Sequence, residues 1–161
     1  MINDLNDRIK KRCLALDKIL SSQTKEIQTL FEEVLNALHR GGKIILIGNG
    51  GSFSIAQHIS AEFTGRFLRE RKSLPSIVLG SNPSSFSAIS NDYGYEKSFS
   101  REFDSLSSIN DILIAMSVSG KSQNIIEVLR MCNSKKIKSF FLTGNLNSEE
   151  NIKTNFIKVP S

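Results

Sequence analysis

Several features that mark particular classes of protein are missing from this sequence. Its 161 residues include only two cysteines, Cys13 and Cys132, too few for a disulfide framework or a zinc ribbon. No apolar run approaches the roughly 20 residues that a membrane-spanning helix requires. The N-terminal residues also lack the apolar segment of a secretory signal. We therefore expect a soluble, cytoplasmic protein with reduced thiols and no membrane partner.

Basic residues only modestly outnumber acidic residues. The formal net charge is +5, and the basic residues are spread along the chain with local clusters at 8–12, 66–72 and 135–138. A nucleic-acid binder usually combines a basic stripe with a recognisable reading motif, and the sequence contains none, so we expect no nucleic-acid partner. The excess of basic residues is interpreted as part of a solvated surface or, alternatively, as the source of a positive field that attracts small anionic substrates.

The first 40 residues are predicted to be helical. Between residues 2 and 20, apolar side chains recur at steps of three and four, which is the spacing of an amphipathic helix. A second amphipathic stretch follows and ends at Gly41-Gly42, because glycine is common just past a helix. Little sequence nearby can cover the apolar stripe of residues 1–40, so this segment is interpreted as a subunit contact.

Residues 41–161 alternate between short apolar strands and amphipathic helices. The strands are predicted at 43–48, 76–79, 111–116, 138–143 and 155–159, and the helices at 54–68, 84–90 and 124–132. Continuous apolar runs are typical of strands buried on both faces. Right-handed crossovers between such strands give a parallel sheet covered by helices on both sides. The sequence therefore predicts one α/β domain with a five-stranded parallel sheet, preceded by the N-terminal helices.

Two loops that join a strand to a helix are rich in glycine and serine. The glycine loop is Gly48-Asn-Gly-Gly-Ser52, and the serine loop is Ser117-Val-Ser-Gly-Lys-Ser122. Open α/β sheets bind ligands at the carboxyl ends of their strands, where helix N-termini attract anions. Backbone N–H groups and hydroxyls suit a phosphate monoester, although glycine and serine also simply make turns. Neither loop has the spacing of a nucleotide fingerprint, which favours a sugar phosphate.

The helix after the glycine loop carries His58 and Glu62. At a spacing of four residues, their Cβ atoms lie about 6 Å apart on one helical face. Such a pair can bind a divalent metal or can supply a base with a polar orienter, and the alternative is an ordinary exposed polar pair. His39, just before Gly41, is interpreted as structural, because a cationic side chain complements the dipole at a helix C-terminus.

Seven short motifs together resemble the sugar isomerase (SIS) domain family. They stand in the family's order and spacing between about residue 30 and Ser161, and the set is far more specific than any one motif. They are Gly48-Asn-Gly-Gly-Ser52, Ala56-Gln-His58, Ala61-Glu62, Thr64-Gly-Arg66, Asn91-Asp-Tyr-Gly94, Ser117-x-Ser-Gly-x-Ser122 and Leu142-Thr-Gly144. Within the family, the chain is most similar to the members that interconvert sedoheptulose 7-phosphate and D-glycero-D-manno-heptose 7-phosphate for the heptose of surface polysaccharide.

This resemblance implies a homotetramer whose N-terminal helices pack between subunits, and it assigns roles to matched positions. Glu62 would be the base that moves a proton between C1 and C2 and would also contact the substrate, and His58 and Glu62 would ligate one zinc ion per subunit. The remaining substrate-binding positions would be Asn49, Gly50, Gly51, Ser52, Asn91, Asp92, Ser117, Val118, Ser119 and Ser122. Of these, the three serines of the serine loop would hold the phosphate.

The chain departs from the family pattern at two places. Val118 stands where a threonine is usual between the phosphate-binding serines, which removes one hydroxyl donor. The family also continues past Ser161 into a C-terminal helix whose glutamine and histidine complete the zinc site. We therefore expect either a truncated chain with impaired catalysis or a protein that works differently.

Two alternative functions stay open. One is a non-catalytic SIS module that binds a phosphosugar or serves as a scaffold. The other is an aldose–ketose isomerase of the same superfamily with a different substrate.

Overall fold

The computed structural model describes residues 2–144 and 152–159, which contain six α-helices and five strands. The helices are α1 Ile2–Ser22, α2 Thr24–His39, α3 Gly51–Thr64, α4 Pro83–Tyr93, α5 Ser100–Leu106 and α6 Gln123–Lys135. The strands are β1 Ile44–Gly48, β2 Ser76–Val78, β3 Ile112–Ser117, β4 Lys138–Thr143 and β5 Asn155–Lys158, and a 3-10 turn spans Tyr95–Lys97.

The strands pair in the order β2-β1-β3-β4-β5, and every pairing is parallel. This confirms the predicted five-stranded parallel sheet. The strand order reverses at β1, so the carboxyl ends of β1 and β3 form the switch point at which open α/β sheets bind ligands. Gly48 is in register with Met116, and the glycine and serine loops therefore leave the sheet side by side.

Alternate residues of the central strands point into two separate cores. Ile45 and Ile47 of β1 pack with Leu113 of β3 and with helices α5 and α6 on one face of the sheet. Ile44 and Leu46 pack with helices α2 and α3 on the other face. All five side chains are fully buried, and burying each contributes about 1.5–3 kcal/mol. Burial on both faces is the physical reason that these strands are continuous apolar runs.

Two helices differ from the sequence prediction in their bounds. Helix α3 begins directly in the glycine loop and stops where Gly65 follows it, so it ends before the predicted residue 68. Helix α4 begins at Pro83 because the side chain of Asn82 accepts hydrogen bonds from two N–H groups of the first turn. It continues to Tyr93, past the predicted residue 90, and ends before Gly94, whose φ is +90°.

The sequence prediction missed helix α5 and the 3-10 turn before it. Helix α5 has only seven residues, too few to show a clear helical period. Phe99 and Phe103 flank its first turn, lie four residues apart and are both fully buried. That pair is the signal from which the helix could have been found.

The two N-terminal helices are covered to very different extents. Helix α2 packs on the sheet through Ala37, with Leu30 and Val34 beside it. Helix α1 instead leaves its apolar stripe in solvent, with Leu5, Ile9, Leu16 and Leu20 all exposed. No described helix is both long enough and apolar enough to cross a membrane. The domain boundary at residue 40 and the subunit contact stay predictions.

One carboxylate ties β1 to β3 at the amino end of the sheet. Asp111 is buried, and its Oδ1 accepts the backbone N–H of Lys43 at 2.9 Å. Its Oδ2 accepts from Lys43 Nζ at 2.7 Å and from the backbone N–H of Ser108 at 2.7 Å. Burial raises the pKa of this carboxyl, but the three donors outweigh burial and leave the pKa below its ordinary value.

Candidate active site

The glycine loop makes a tight turn between β1 and α3 that only glycine allows at two positions. A Cβ on Gly48 would lie 2.7 Å from the backbone carbon of Ser52. Gly50 has φ +52° and ψ −121°, a conformation that L side chains rarely adopt. The backbone N–H groups of Gly50 and Gly51 make no hydrogen bond to any residue that the structure describes. The loop therefore offers two adjacent donors at the start of a helix.

The serine loop gathers hydroxyl groups between β3 and α6. Ser117 is buried, and its Oγ lies 3.1 Å from Ser122 Oγ and 3.5 Å from Ser119 Oγ. The N–H of Gly120 donates to Ser117 Oγ at 3.2 Å. Val118 is 76% exposed and adds no polar group. The three predicted phosphate-binding serines are thus clustered at the N-terminus of a helix, where an anion is favoured.

A pair of side-chain amides joins the two loops. Asn49 Nδ2 donates to Asn124 Oδ1 at 3.0 Å, and Asn124 Nδ2 donates back to Asn49 Oδ1 at 3.0 Å. Tyr95 Oη donates to the same Asn49 oxygen at 3.0 Å, and Asn124 Nδ2 also donates to Ser98 Oγ at 3.1 Å. The glycine loop is therefore joined, through its own Asn49, to Asn124 in the first turn of the helix that follows the serine loop.

Three members of this network were not identified from the sequence. Asn124 follows the serine loop by two residues and precedes two buried isoleucines, so a polar residue at the start of an otherwise buried helix face was a usable signal. Nothing in the sequence pattern marked Tyr95 or Ser98, because their role depends on where the segment after α4 folds back.

An aromatic-walled cleft of about 320 Å³ adjoins the glycine loop. Phe86 and Tyr95 stand edge to face with ring centroids 6.0 Å apart, and Phe86 and Phe99 lie 5.5 Å apart. Asn49 and Gly50 form its polar side. The remaining lining residues are Gly48, Phe53, Gly80 and Pro83.

His58 and Glu62 lie next to each other on α3 but outside this cleft. His58 Nε2 is 3.8 Å from Glu62 Oε1, and the side chains are 76% and 33% exposed. Glu62 is ten residues past Ser52, so it lies about 15 Å farther along the helix axis. Exposed Ile55 shares the helix face of His58. The predicted base therefore lies nearly three helical turns past the glycine loop, and its contact with substrate stays a prediction.

Asn91 and Asp92 also lie apart from the cleft. Both are exposed near the end of α4, and Asn91 Nδ2 donates to Asp92 Oδ1 at 2.9 Å. Their predicted contact with substrate stays a prediction.

The predicted zinc site is incomplete in the described residues. His58 and Glu62 are close enough to share one ion. Residues 2–144 and 152–159 contain no group of three His, Cys, Asp or Glu side chains that could hold a metal. Catalytic zinc normally uses three protein ligands. This donor pair by itself therefore does not make a catalytic zinc centre.

Comparisons with known proteins agree with these features. The family model described as SIS domain matches residues 9–144. The phosphoheptose isomerase of Burkholderia pseudomallei (strain 1710b) is 39% identical over 142 residues, covering 88% of this chain and 70% of that protein. That of Helicobacter pylori (strain P12) is 38% identical over 144 residues, covering 87% and 75%.

A solved structure shows the same architecture. The phosphoheptose isomerase from Francisella tularensis superposes with a TM-score of 0.92 at 27% identity, covering 99% of this chain and 86% of that chain. The structural match includes the N-terminal helices as well as the sheet. By its family model, its relatives and its fold, the chain belongs to the phosphoheptose isomerase family of SIS-domain proteins.

Proposed function

We propose that this chain is an aldose–ketose isomerase that interconverts sedoheptulose 7-phosphate and D-glycero-D-manno-heptose 7-phosphate, for the heptose of surface polysaccharide. The observation that carries the proposal is the joined pair of loops at the switch point of the sheet. One loop offers the N–H groups of Gly50 and Gly51, and the other offers clustered hydroxyls at the N-terminus of α6. The family relationship supplies the substrate class.

The serine loop is assigned to the phosphate group. Ser117, Ser119 and Ser122 can donate their hydroxyl hydrogens to phosphate oxygens, and the helix dipole of α6 adds a favourable field for a dianion. Neutral donors at a helix N-terminus bind the phosphate without an ion pair. Binding the phosphate at a fixed point also positions the other end of the sugar for reaction.

Glu62 is assigned to proton transfer. Isomerisation through a cis-enediol requires a base that takes a proton from one of the two carbons and returns it to the other, while the carbonyl oxygen gains a proton and the hydroxyl oxygen loses one. A single carboxylate can accept the proton from one carbon and return it to the other. Glu62 is partly buried, and His58 beside it can orient the carboxylate.

Assembly into a homotetramer is part of the proposal. A second copy of the chain could bring further side chains, including its own Glu62, to the loops of the first. The exposed apolar residues of α1 and Ile55 on α3 are surfaces that such an assembly would cover. We propose this assembly for a cytoplasmic enzyme.

Zinc is proposed only as an addition to this site. His58 and Glu62 would supply two ligands, and the rest must come from outside this pair. A bound zinc ion would polarise the sugar oxygens. Measuring the zinc content of purified wild-type protein and of His58→Ala tests the proposal, and equal zinc content in the two proteins would contradict it.

The experiment that tests the isomerase compares Glu62→Gln with Glu70→Gln. Glu70 is a suitable control because it is exposed and also lies four residues from a basic partner, Arg66. We expect turnover of sedoheptulose 7-phosphate by wild type and Glu70→Gln, and a loss of about 10²–10⁴-fold in Glu62→Gln. Each protein is assayed with and without added zinc.

The outcomes separate the isomerase from the alternatives. Turnover that Glu62→Gln leaves intact would refute the assigned base. Saturable binding of the sugar phosphate without turnover by wild type would favour the non-catalytic binding module. Turnover of a different phosphosugar in a panel of C5 to C7 ketose phosphates would favour the third hypothesis, an isomerase with another substrate.

A further inference from the structure

The amides that join the two loops have almost no hydrogen-bonding capacity left. Asn49 Oδ1 accepts from Tyr95 Oη and from Asn124 Nδ2, which occupies both of its lone pairs. Both hydrogens of Asn124 Nδ2 are used, one by Asn49 and one by Ser98 Oγ. Asn124 Oδ1 accepts from Asn49 Nδ2. One N–H of Asn49 is the single donor that the pair leaves for a ligand.

The surroundings keep this arrangement in place. Asn124 is only 1% exposed and Ser98 is fully buried, so breaking their bonds would leave buried polar groups without partners. The ring of Tyr95 is held by its edge-to-face contact with Phe86. Asn49 itself lines the cleft beside the glycine loop. The remaining N–H of Asn49 therefore belongs to the ligand side of a rigid network.

We propose that Tyr95 and Asn124 are positioning residues that lock the amide of Asn49, so that its one remaining N–H donates to an oxygen of the bound sugar phosphate. The same pair makes the glycine and serine loops respond to phosphate as one unit, because Asn124 stands in the first turn of α6. This inference rests on the proposed function for its substrate. The hydroxyl of Tyr95 acts through Asn49 and does not touch the substrate.

The first test compares Tyr95→Phe with Tyr93→Phe. These are the two tyrosines of the chain, they are about equally exposed, and the ring of Tyr93 lies against Arg101 instead of joining the network. Each change removes one hydroxyl and keeps the ring. We expect kcat/KM for sedoheptulose 7-phosphate to fall about tenfold in Tyr95→Phe and to stay within twofold of wild type in Tyr93→Phe.

Two further readouts separate positioning from a general structural role. In Tyr95→Phe, the inhibition constant of inorganic phosphate, whose oxygens are bound by the serine loop, should stay within twofold of wild type. The thermal midpoint should stay within about 2 °C. A parallel loss of phosphate binding and of thermal stability would overturn the inference, and so would kcat/KM equal to that of Tyr93→Phe.

A readout without turnover tests the coupling of the loops. The side-chain amide resonance of Asn49, identified by its loss in Asn49→Ala, should shift when inorganic phosphate is titrated into wild type. In Asn124→Asp, which cannot donate to Asn49 Oδ1, that shift should be lost although phosphate still binds. An unchanged shift in Asn124→Asp would overturn the coupling.

The design distinguishes failure of this inference from failure of the proposed function. If wild type turns over none of the sugar phosphates, the proposed function fails, and the phosphate titration, run also on Tyr95→Phe, alone decides whether Asn124 and Tyr95 position Asn49. If phosphate causes no shift in wild type, the inference is overturned as well. If wild type is active and Tyr95→Phe is equally active, the function stands and the inference fails.

Discussion

The two ends of the central sheet handle their polar groups in opposite ways. At the amino ends of β1 and β3, the Asp111 carboxylate is buried and accepts three hydrogen bonds from Lys43 and Ser108. At the carboxyl ends, the loops leave the N–H groups of Gly50 and Gly51 without a partner among the described residues. Both ends belong to the same two strands, so the difference lies in the residues that flank the strands.

This contrast separates groups that stabilise the fold from groups that are available to a ligand. A polar group that is buried and fully paired contributes to stability, and losing its partner is costly. A donor that the chain leaves unpaired at a switch point is available for binding. The two ends should therefore respond differently to mutation: changes at the amino end should cost stability, and changes at the carboxyl end should cost binding and turnover.

The largest effect is expected for Asp111→Ala. Removing the carboxylate leaves Lys43 Nζ and two backbone donors without their acceptor, which should lower the free energy of unfolding by about 3 kcal/mol. Urea unfolding at fixed protein concentration measures this. Asp104→Ala is the control, because Asp104 is paired with Lys135 at the surface and its loss should change little. Equal losses in both variants would contradict the assigned role of Asp111.

The next effect concerns Gly50→Ala at the opposite end of the sheet. A Cβ at Gly50 would meet no atom within 4 Å, so the cost comes only from the backbone conformation, on the order of 1–3 kcal/mol. We expect sugar-phosphate binding to weaken by roughly tenfold or more as the loop rearranges, measured by calorimetry. Gly51→Ala is the control, since its Cβ also meets open space but its φ is not positive. Equal weakening in both would show that space, not conformation, limits the loop.

A smaller effect on the free energy of unfolding is expected when the pH is lowered. The pKa of Asp111 is lower in the folded protein than in the unfolded chain, so the unfolded chain takes up a proton first as the pH falls. The stability from this carboxylate should be complete above the ordinary aspartate pKa of about 3.9 and should decline below it. Urea unfolding between pH 3 and pH 6 measures the decline. The slope should be shallower in Asp111→Asn, and an identical slope would show that other carboxyls cause it.

The smallest effect, a gain in affinity for phosphate, is expected for Val118→Thr. Restoring a hydroxyl to the serine loop adds one donor near the phosphate, worth on the order of 1 kcal/mol, so phosphate should bind about fivefold more tightly. Competition by inorganic phosphate measures this. Val118→Ala, which removes side-chain volume without adding a hydroxyl, should not improve binding. Equal gains in both variants would attribute the change to side-chain size.

Most strands and helices were predictable because the buried apolar residues follow regular patterns along the sequence. Ile44 to Ile47 are buried on both faces of the sheet, and such runs are visible in a sequence without further information. Short helices were harder to predict from the sequence. Helix α5 depends on Phe99 and Phe103 reaching the core, and seven residues carry too little periodicity to reveal it.

The candidate site was predictable where its chemistry lies in contiguous residues. The glycine and serine loops could be identified because each is a short motif after an apolar strand, and the structure places them side by side at the end of β1 and β3. Whether the His58–Glu62 pair reaches a substrate bound at these loops stays a prediction. Ten residues of α3 separate Glu62 from Ser52 at the end of the glycine loop.

The amino-acid sequence by itself determined the order of the strands and longer helices along the chain, the buried strand residues and the two loops that carry donors. These follow from local patterns of apolar spacing, glycine and hydroxyl side chains. Only the tertiary structure decided that Asn49, Tyr95, Ser98 and Asn124 form one network. Its members are separated by as many as 75 positions in the chain, and hydrogen bonds over that distance exist only after strand order and crossovers have brought the segments together.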